Sequence, residues 1–177
     1  MTGTTKMADD IYMVPWEQGN GQIRREVWVD KEGKVARYYL AYLNQDAFQG
    51  DDGMVLGYEY NNGNLTSHLM GSEKAIEFSS LVELEEQFDK EWNNIPKQGV
   101  PAISQGAADL NENEVDVIDD FIETKMMKLT ITKGSSADFF RRGKELAGKL
   151  DRGESAEPEK VVIFGNRQDL CYSLLTK

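Results

Sequence analysis

Histidine and cysteine are nearly missing from this chain of 177 residues: each occurs once, as His68 and Cys171. One cysteine cannot close an internal disulfide, which favours a reducing compartment. One histidine excludes a two-histidine metal centre and a paired-histidine acid/base mechanism. No apolar run approaches the roughly 18–20 residues that spanning a bilayer requires. The N-terminus, Met1-Thr2-Gly3-Thr4-Thr5-Lys6, lacks the apolar stretch of a signal peptide. These absences lead us to expect a soluble, cytoplasmic protein. No phosphate-binding loop, dinucleotide fingerprint or zinc-ligand spacing occurs either.

What is abundant is negative charge, and it is distributed unevenly. The chain carries a net −11. Residues 1–98 hold 9 basic and 17 acidic side chains, residues 99–124 hold none and 7, and residues 125–177 hold 11 and 7. Solvated faces explain most single charges, but not a change of sign at one boundary. That change suggests two modules that attract each other.

Residues 1–22 are polar, with Gly19 and Gly21, and read as a loose lead-in. Arg25, Val27 and Val29 then alternate with Glu26, Trp28 and Asp30, the period-two signature of a strand. Strands are predicted over 35–43, 54–60, 65–70 and 75–78, separated by turn-forming stretches. Asn61-Asn62-Gly63-Asn64 is the clearest hairpin turn among them. Ser80 with Glu83 predicts a capping box opening a helix. Leu81, Leu84, Phe88 and Trp92 share its apolar face, Glu83, Glu85, Glu86 and Asp89 lie elsewhere, and Pro96 ends it.

Residues 97–125 read as an acidic linker, in which 114–123 hold Val115, Val117, Ile118, Phe121 and Ile122 as a short helix or docking strand. Beyond it, a strand at 127–132, a helix capped by Ser135 and Asp138, a strand at 161–164 and a final helix after Asn166 make a β-α-β-α module. The expected fold class is α+β: an antiparallel meander sheet with one packed amphipathic helix in residues 23–96, plus that small module in residues 126–177.

Few residues could carry chemistry. Cys171 shares helical spacing with Leu174 and Leu175, which suits a buried thiol. Asp109, Asn111, Asn113 and Asp120 copy the spacing of a calcium loop. Glu114, however, stands where the sharp turn needs glycine, and the twelfth ligand is Asp rather than Glu. An acidic linker is the better reading, so no metal or cofactor is expected. Arg141, Arg142, Lys144, Lys149 and Arg152 crowd one stretch of the second helix without interleaved aromatics, which suits a solvated or partner-docking face more than nucleic acid.

Two stretches carry resemblances. Lys34-Val35-Ala36-Arg37-Tyr38-Tyr39-Leu40-Ala41-Tyr42-Leu43, Val55-Leu56-Gly57-Tyr58-Glu59-Tyr60-Asn61-Asn62-Gly63, His68, and Ile76-Glu77-Phe78-Ser79-Ser80-Leu81 resemble the TumE family of bacterial and archaeal toxins over about residues 23–95. Met127-Lys128-Leu129-Thr130-Ile131, Phe139-Phe140-Arg141-Arg142, Leu150-Asp151-Arg152-Gly153-Glu154, Val162-Ile163-Phe164 and Leu174-Leu175-Thr176-Lys177 are similar to the N-terminal part of TumA-type antitoxins. Such antitoxins continue into a helix-turn-helix, which is absent from 126–177, so operator binding is not carried over.

The resemblance implies a toxin-like domain held by a tethered, antitoxin-like neutralising segment, in contact within one chain or with a swapped partner. It places Tyr60, Asn61 and His68 around one hairpin as candidate catalytic residues, with His68 the natural proton carrier near neutrality. The histidine-rich stretch of the toxins is here reduced to Leu65-Thr66-Ser67-His68-Leu69, so this copy is expected to be weak or dead if that stretch is the toxic site. The alternative is a non-enzymatic acidic binding or inhibitor protein from a mobile element that engages a host protein.

Overall fold

Asn62 and Gly63 adopt φ of 46° and 95°, the left-handed pair that a tight hairpin needs. They join two strands of a sheet seen in a computed structural model, which describes residues 3–95 and 127–165. In chain order the strands are β1 (Thr5–Met13), β2 (Gln22–Val29), β3 (Val35–Leu43), β4 (Met54–Asn61), β5 (Asn64–Leu69), β6 (Ser72–Ile76), β7 (Lys128–Lys133) and β8 (Glu159–Phe164). The helices are α1 (Leu81–Asn94) and α2 (Ser136–Asp151). All eight strands form one sheet in the order β6-β5-β4-β3-β2-β1-β8-β7. β1 to β6 are an antiparallel meander, whereas β8 runs parallel to β1 and β7 parallel to β8. The fold is α+β, with two helices rather than one against the sheet.

The loose lead-in expected for residues 1–22 is not what forms. Residues 5–13 are β1, an interior strand hydrogen-bonded on both sides. Its polarity misled, because Asp9 and Asp10 are fully buried among basic side chains rather than hydrated. The parallel pair β7 and β8 needs a crossover, and α2 supplies it. The charge boundary near residue 125 is therefore not a boundary in the sheet. The expected linker and calcium-like spacing, the final helix and Cys171 all lie outside the described residues.

Both helices pack on one face of the sheet. Tyr12, Ile23, Val27, Tyr38, Leu40, Tyr42 and Tyr58 point at them from the strands, and Phe88, Trp92, Phe139 and Phe140 point back. The Phe140 ring sits 6.0 Å from Phe88 and 5.9 Å from Trp92, so the two helices share one aromatic core. Ser80 caps α1 as expected by accepting from the Glu83 N–H. The return arm of the expected box does not form, since Glu83 instead accepts from the Ser79 hydroxyl. The Leu81 and Val82 N–H groups donate to Asp151 at the end of α2, both at 3.1 Å, so a carboxylate from the second helix faces the positive end of the first. The Ser135–Asp138 box of α2 forms in full.

Trp92 is buried at 2 % exposure, edge-on to Tyr42 and against Phe140. Trp92→Ala is expected to cost about 3–5 kcal/mol by leaving a cavity that the two helices cannot close. Chemical denaturation checks this through a lowered midpoint.

Candidate functional site

The three residues singled out from the hairpin do not converge. Tyr60 pairs with Leu65 on the helix-facing side, where its ring lies 4.5 Å from Phe78. His68 pairs with Gly57 and Glu73 on the opposite face, because strand neighbours alternate sides. Asn61 shares the face of His68 but lies four residues further along β4 than Gly57, roughly 13 Å away at a strand's rise. It is exposed and accepts from the Asn62 amide at 3.0 Å.

His68 has a setting of its own. Its side chain is 8 % exposed, with Nε2 3.7 Å from a Glu59 oxygen and Nδ1 3.7 Å from a Glu73 oxygen. Among the described residues neither ring nitrogen finds a hydrogen-bond partner. An imidazole between two carboxylates on adjoining strands can exchange a proton with either after a small approach. Nothing brings the phenol of Tyr60 to it.

The largest concentration of buried charge lies elsewhere, between the sheet and both helices. Arg25 is fully buried on β2, sharing its face with Val27 and Val29. Its guanidinium donates twice to Glu85 of α1, at 2.5 and 2.8 Å, and once to Asp10 of β1 at 3.0 Å. A further N–H reaches the Phe139 carbonyl of α2 at 3.3 Å, and the group stacks 4.0 Å over the Phe139 ring. The Tyr38 hydroxyl from β3 also donates to Glu85. Arg142 of α2 completes the cluster, 3.2 Å from Asp10 and 3.0 Å from Glu159.

Burial and neighbouring groups shift three members of the cluster, Arg25, Asp10 and Tyr38. Burial works against the Arg25 cation, but Glu85, Tyr38 and Asp10 together raise its pKa, so it stays protonated. Burial raises Asp10 above its ordinary value, with Arg25 and Arg142 only partly offsetting this. Burial raises Tyr38 as well, and the Glu85 carboxylate pushes it further. Every member is spent on another member, so the cluster binds elements together.

Gly143 shows how closely α2 is fitted to it. A Cβ there would lie 2.0 Å from Arg25 Nη2 and 2.6 Å from Glu85 Oε2. Glycine inside a helix costs about 1 kcal/mol relative to alanine. Here it makes room for the guanidinium. The sequence pattern leaves Glu85 off the apolar face of α1. Glu85 is in fact fully buried, four residues after Leu81 and three before Phe88. The available signals were an arginine alternating in phase with Val27 and Val29 and a glycine in mid-helix.

The basic stretch of α2 is largely paired. Arg142 reaches Asp10 and Glu159, Lys144 lies 3.5 Å from Asp89 of α1, Arg141 pairs with Asp138 and Arg152 with Glu154. Among the described residues no group of three or more His, Cys, Asp and Glu could hold a metal ion, and no helix is long and apolar enough to cross a membrane. Comparison with known protein families, curated proteins and solved structures finds no match.

Two outcomes follow from the cluster. Gly143→Ala should destabilise the protein by about 1–3 kcal/mol through overpacking, although helix propensity alone predicts a gain. Thermal unfolding settles the sign. Asp10 has a raised pKa when folded, so its contribution to stability is present at low pH and is lost as pH rises through that value. The stability of the parent relative to Asp10→Asn should therefore increase as pH falls from 7 toward about 4. Urea titrations of both proteins across that range measure the slope.

Proposed function

We propose that this chain is a toxin–antitoxin-like protein, in which a TumE-like domain is held by a tethered, antitoxin-like neutralising segment. The observation that supports this most is the way residues 127–165 meet the rest. β8 pairs with β1, and α2 lies along α1, delivers Phe139 and Phe140 to the shared core and contacts Arg25. Those residues are also where the resemblance changes from one family to the other. The contact joins two aromatic anchors, Phe139 and Phe140, to a fully buried arginine, the residue types that dominate binding where an inhibitor meets its target. Tethering keeps the local concentration of such a segment at roughly millimolar, so neutralisation would not depend on expression level.

His68, with Glu59 and Glu73 beside it, is the chemical centre that this reading offers. It lies on the sheet face away from α2, so neutralisation would act through the fold of the toxin-like domain and not by plugging the histidine.

The experiment is expression of residues 1–98 in bacteria, alone and with residues 126–177 supplied from a second promoter. Growth arrest by the first, relieved by the second, is the expected result. Soluble 1–98 that leaves growth unchanged rejects the toxin reading in favour of a binding protein. Including His68→Ala decides the role of the histidine, since arrest of equal strength in that variant removes it from the chemistry.

A further inference from the structure

The face of the sheet opposite the helices carries a second, differently built surface. Across β2, β1, β8 and β7, pairing aligns Arg24, Ile11, Val162 and Ile131 in one row. The neighbouring row on that face holds Asp9, Lys160 and Leu129. Ile11 is 5 % exposed and Lys160 3 %, although neither helix lies on this side. Leu129 and Ile131 at the sheet edge are 41 % and 58 % exposed. An apolar strip therefore runs from the interior of the sheet to its rim.

The charges beside the strip are unbalanced toward positive. Lys6, Arg24 and Lys160 surround Asp9 at 3.1, 3.6 and 3.4 Å, and Glu26 is the other carboxylate they share. Among the described residues, three cations thus meet two anions here, in a chain of net −11. The Lys160 ammonium finds no hydrogen-bond acceptor among the described residues, and Asp9 Oδ1 no donor. A buried ammonium has three donors to satisfy, so this one calls for a further acceptor.

We propose that residues 114–123 of the same chain dock on this strip, setting apolar side chains along the Ile11–Val162–Ile131 row and carboxylates toward Lys160 and its basic neighbours. Charge selects the occupant. Residues 99–124 contain seven acidic and no basic side chains, with Val115, Ile118 and Ile122 spaced to share one face of a helix. Residues 166–177 hold Arg167 and Lys177 against Asp169 and would bring further positive charge. Reach allows it, because the five residues from 123 to 128 span up to about 17 Å when extended. β1 lies two strands in from β7, about 10 Å. The proposal does not rest on the toxin–antitoxin reading and concerns the face away from α2.

Amide hydrogen exchange on the full-length protein tests it. The amides of 114–123 should exchange at least about tenfold more slowly than those of an unstructured peptide. Ile131→Asp, at an exposed edge position, should remove most of that protection while leaving the amides of β4 unchanged. Lys133→Glu, exposed on the same strand, repeats the test with a change that leaves the core alone. Exchange of 114–123 at the free-peptide rate would overturn the proposal. Protection indifferent to both substitutions would also overturn it, by placing the segment elsewhere, and protection lost on dilution would assign the strip to a second copy.

Discussion

A fully buried guanidinium sets the terms for everything around it. Arg25 cannot lose its charge, and leaving it unpaired away from water would cost several kcal/mol. Its donors must therefore find acceptors in a fixed fork, and those acceptors come from separate parts of the chain. Glu85 ties it to α1, Asp10 to β1 and the Phe139 carbonyl to α2, while Tyr38 of β3 holds Glu85. Apolar packing alone would tolerate a helix shifted by a turn. A bidentate ion pair with a glycine opposite it does not, so this cluster specifies the register in which residues 127–165 meet the strands.

Around that point the contact is built from ordinary components that agree with one another. Phe139 and Phe140 extend the aromatic core, Arg142 and Lys144 meet carboxylates of β1 and α1, and Asp151 caps the first helix. Three basic side chains of residues 127–165, Arg142, Lys144 and Lys160, thus meet carboxylates of residues 3–95. A segment that pairs buried charge, extends a sheet and caps a helix satisfies several otherwise unmet groups of residues 3–95 at once.

The two faces of the sheet differ in kind. The helix side is aromatic and closed by specific hydrogen bonds. The other carries the isolated His68 between two carboxylates, and further along a strip where apolar side chains and unevenly paired cations lie together. Alternation along each strand separates these chemistries completely, because a residue cannot serve both faces. That rule also parted Tyr60 from His68.

Local pattern determined a great deal. The strand periods, the Asn62-Gly63 turn, the serine caps at Ser80 and Ser135 and the apolar face of α1 were all readable, because each depends on residues within a few positions of one another. The sequence by itself also set the opposed charges of the two halves. The sheet order, the interior place of β1 and the convergence on Arg25 were decided only by tertiary structure. Asp9 and Asp10 look like surface residues until basic side chains from β2, β8 and α2 arrive beside them. Glu85 looks like one more acid on an acidic helix until Arg25 lies opposite. A buried charge is stable only with its partner, and that partner stands 60 residues away in the chain, where no local pattern can reveal it.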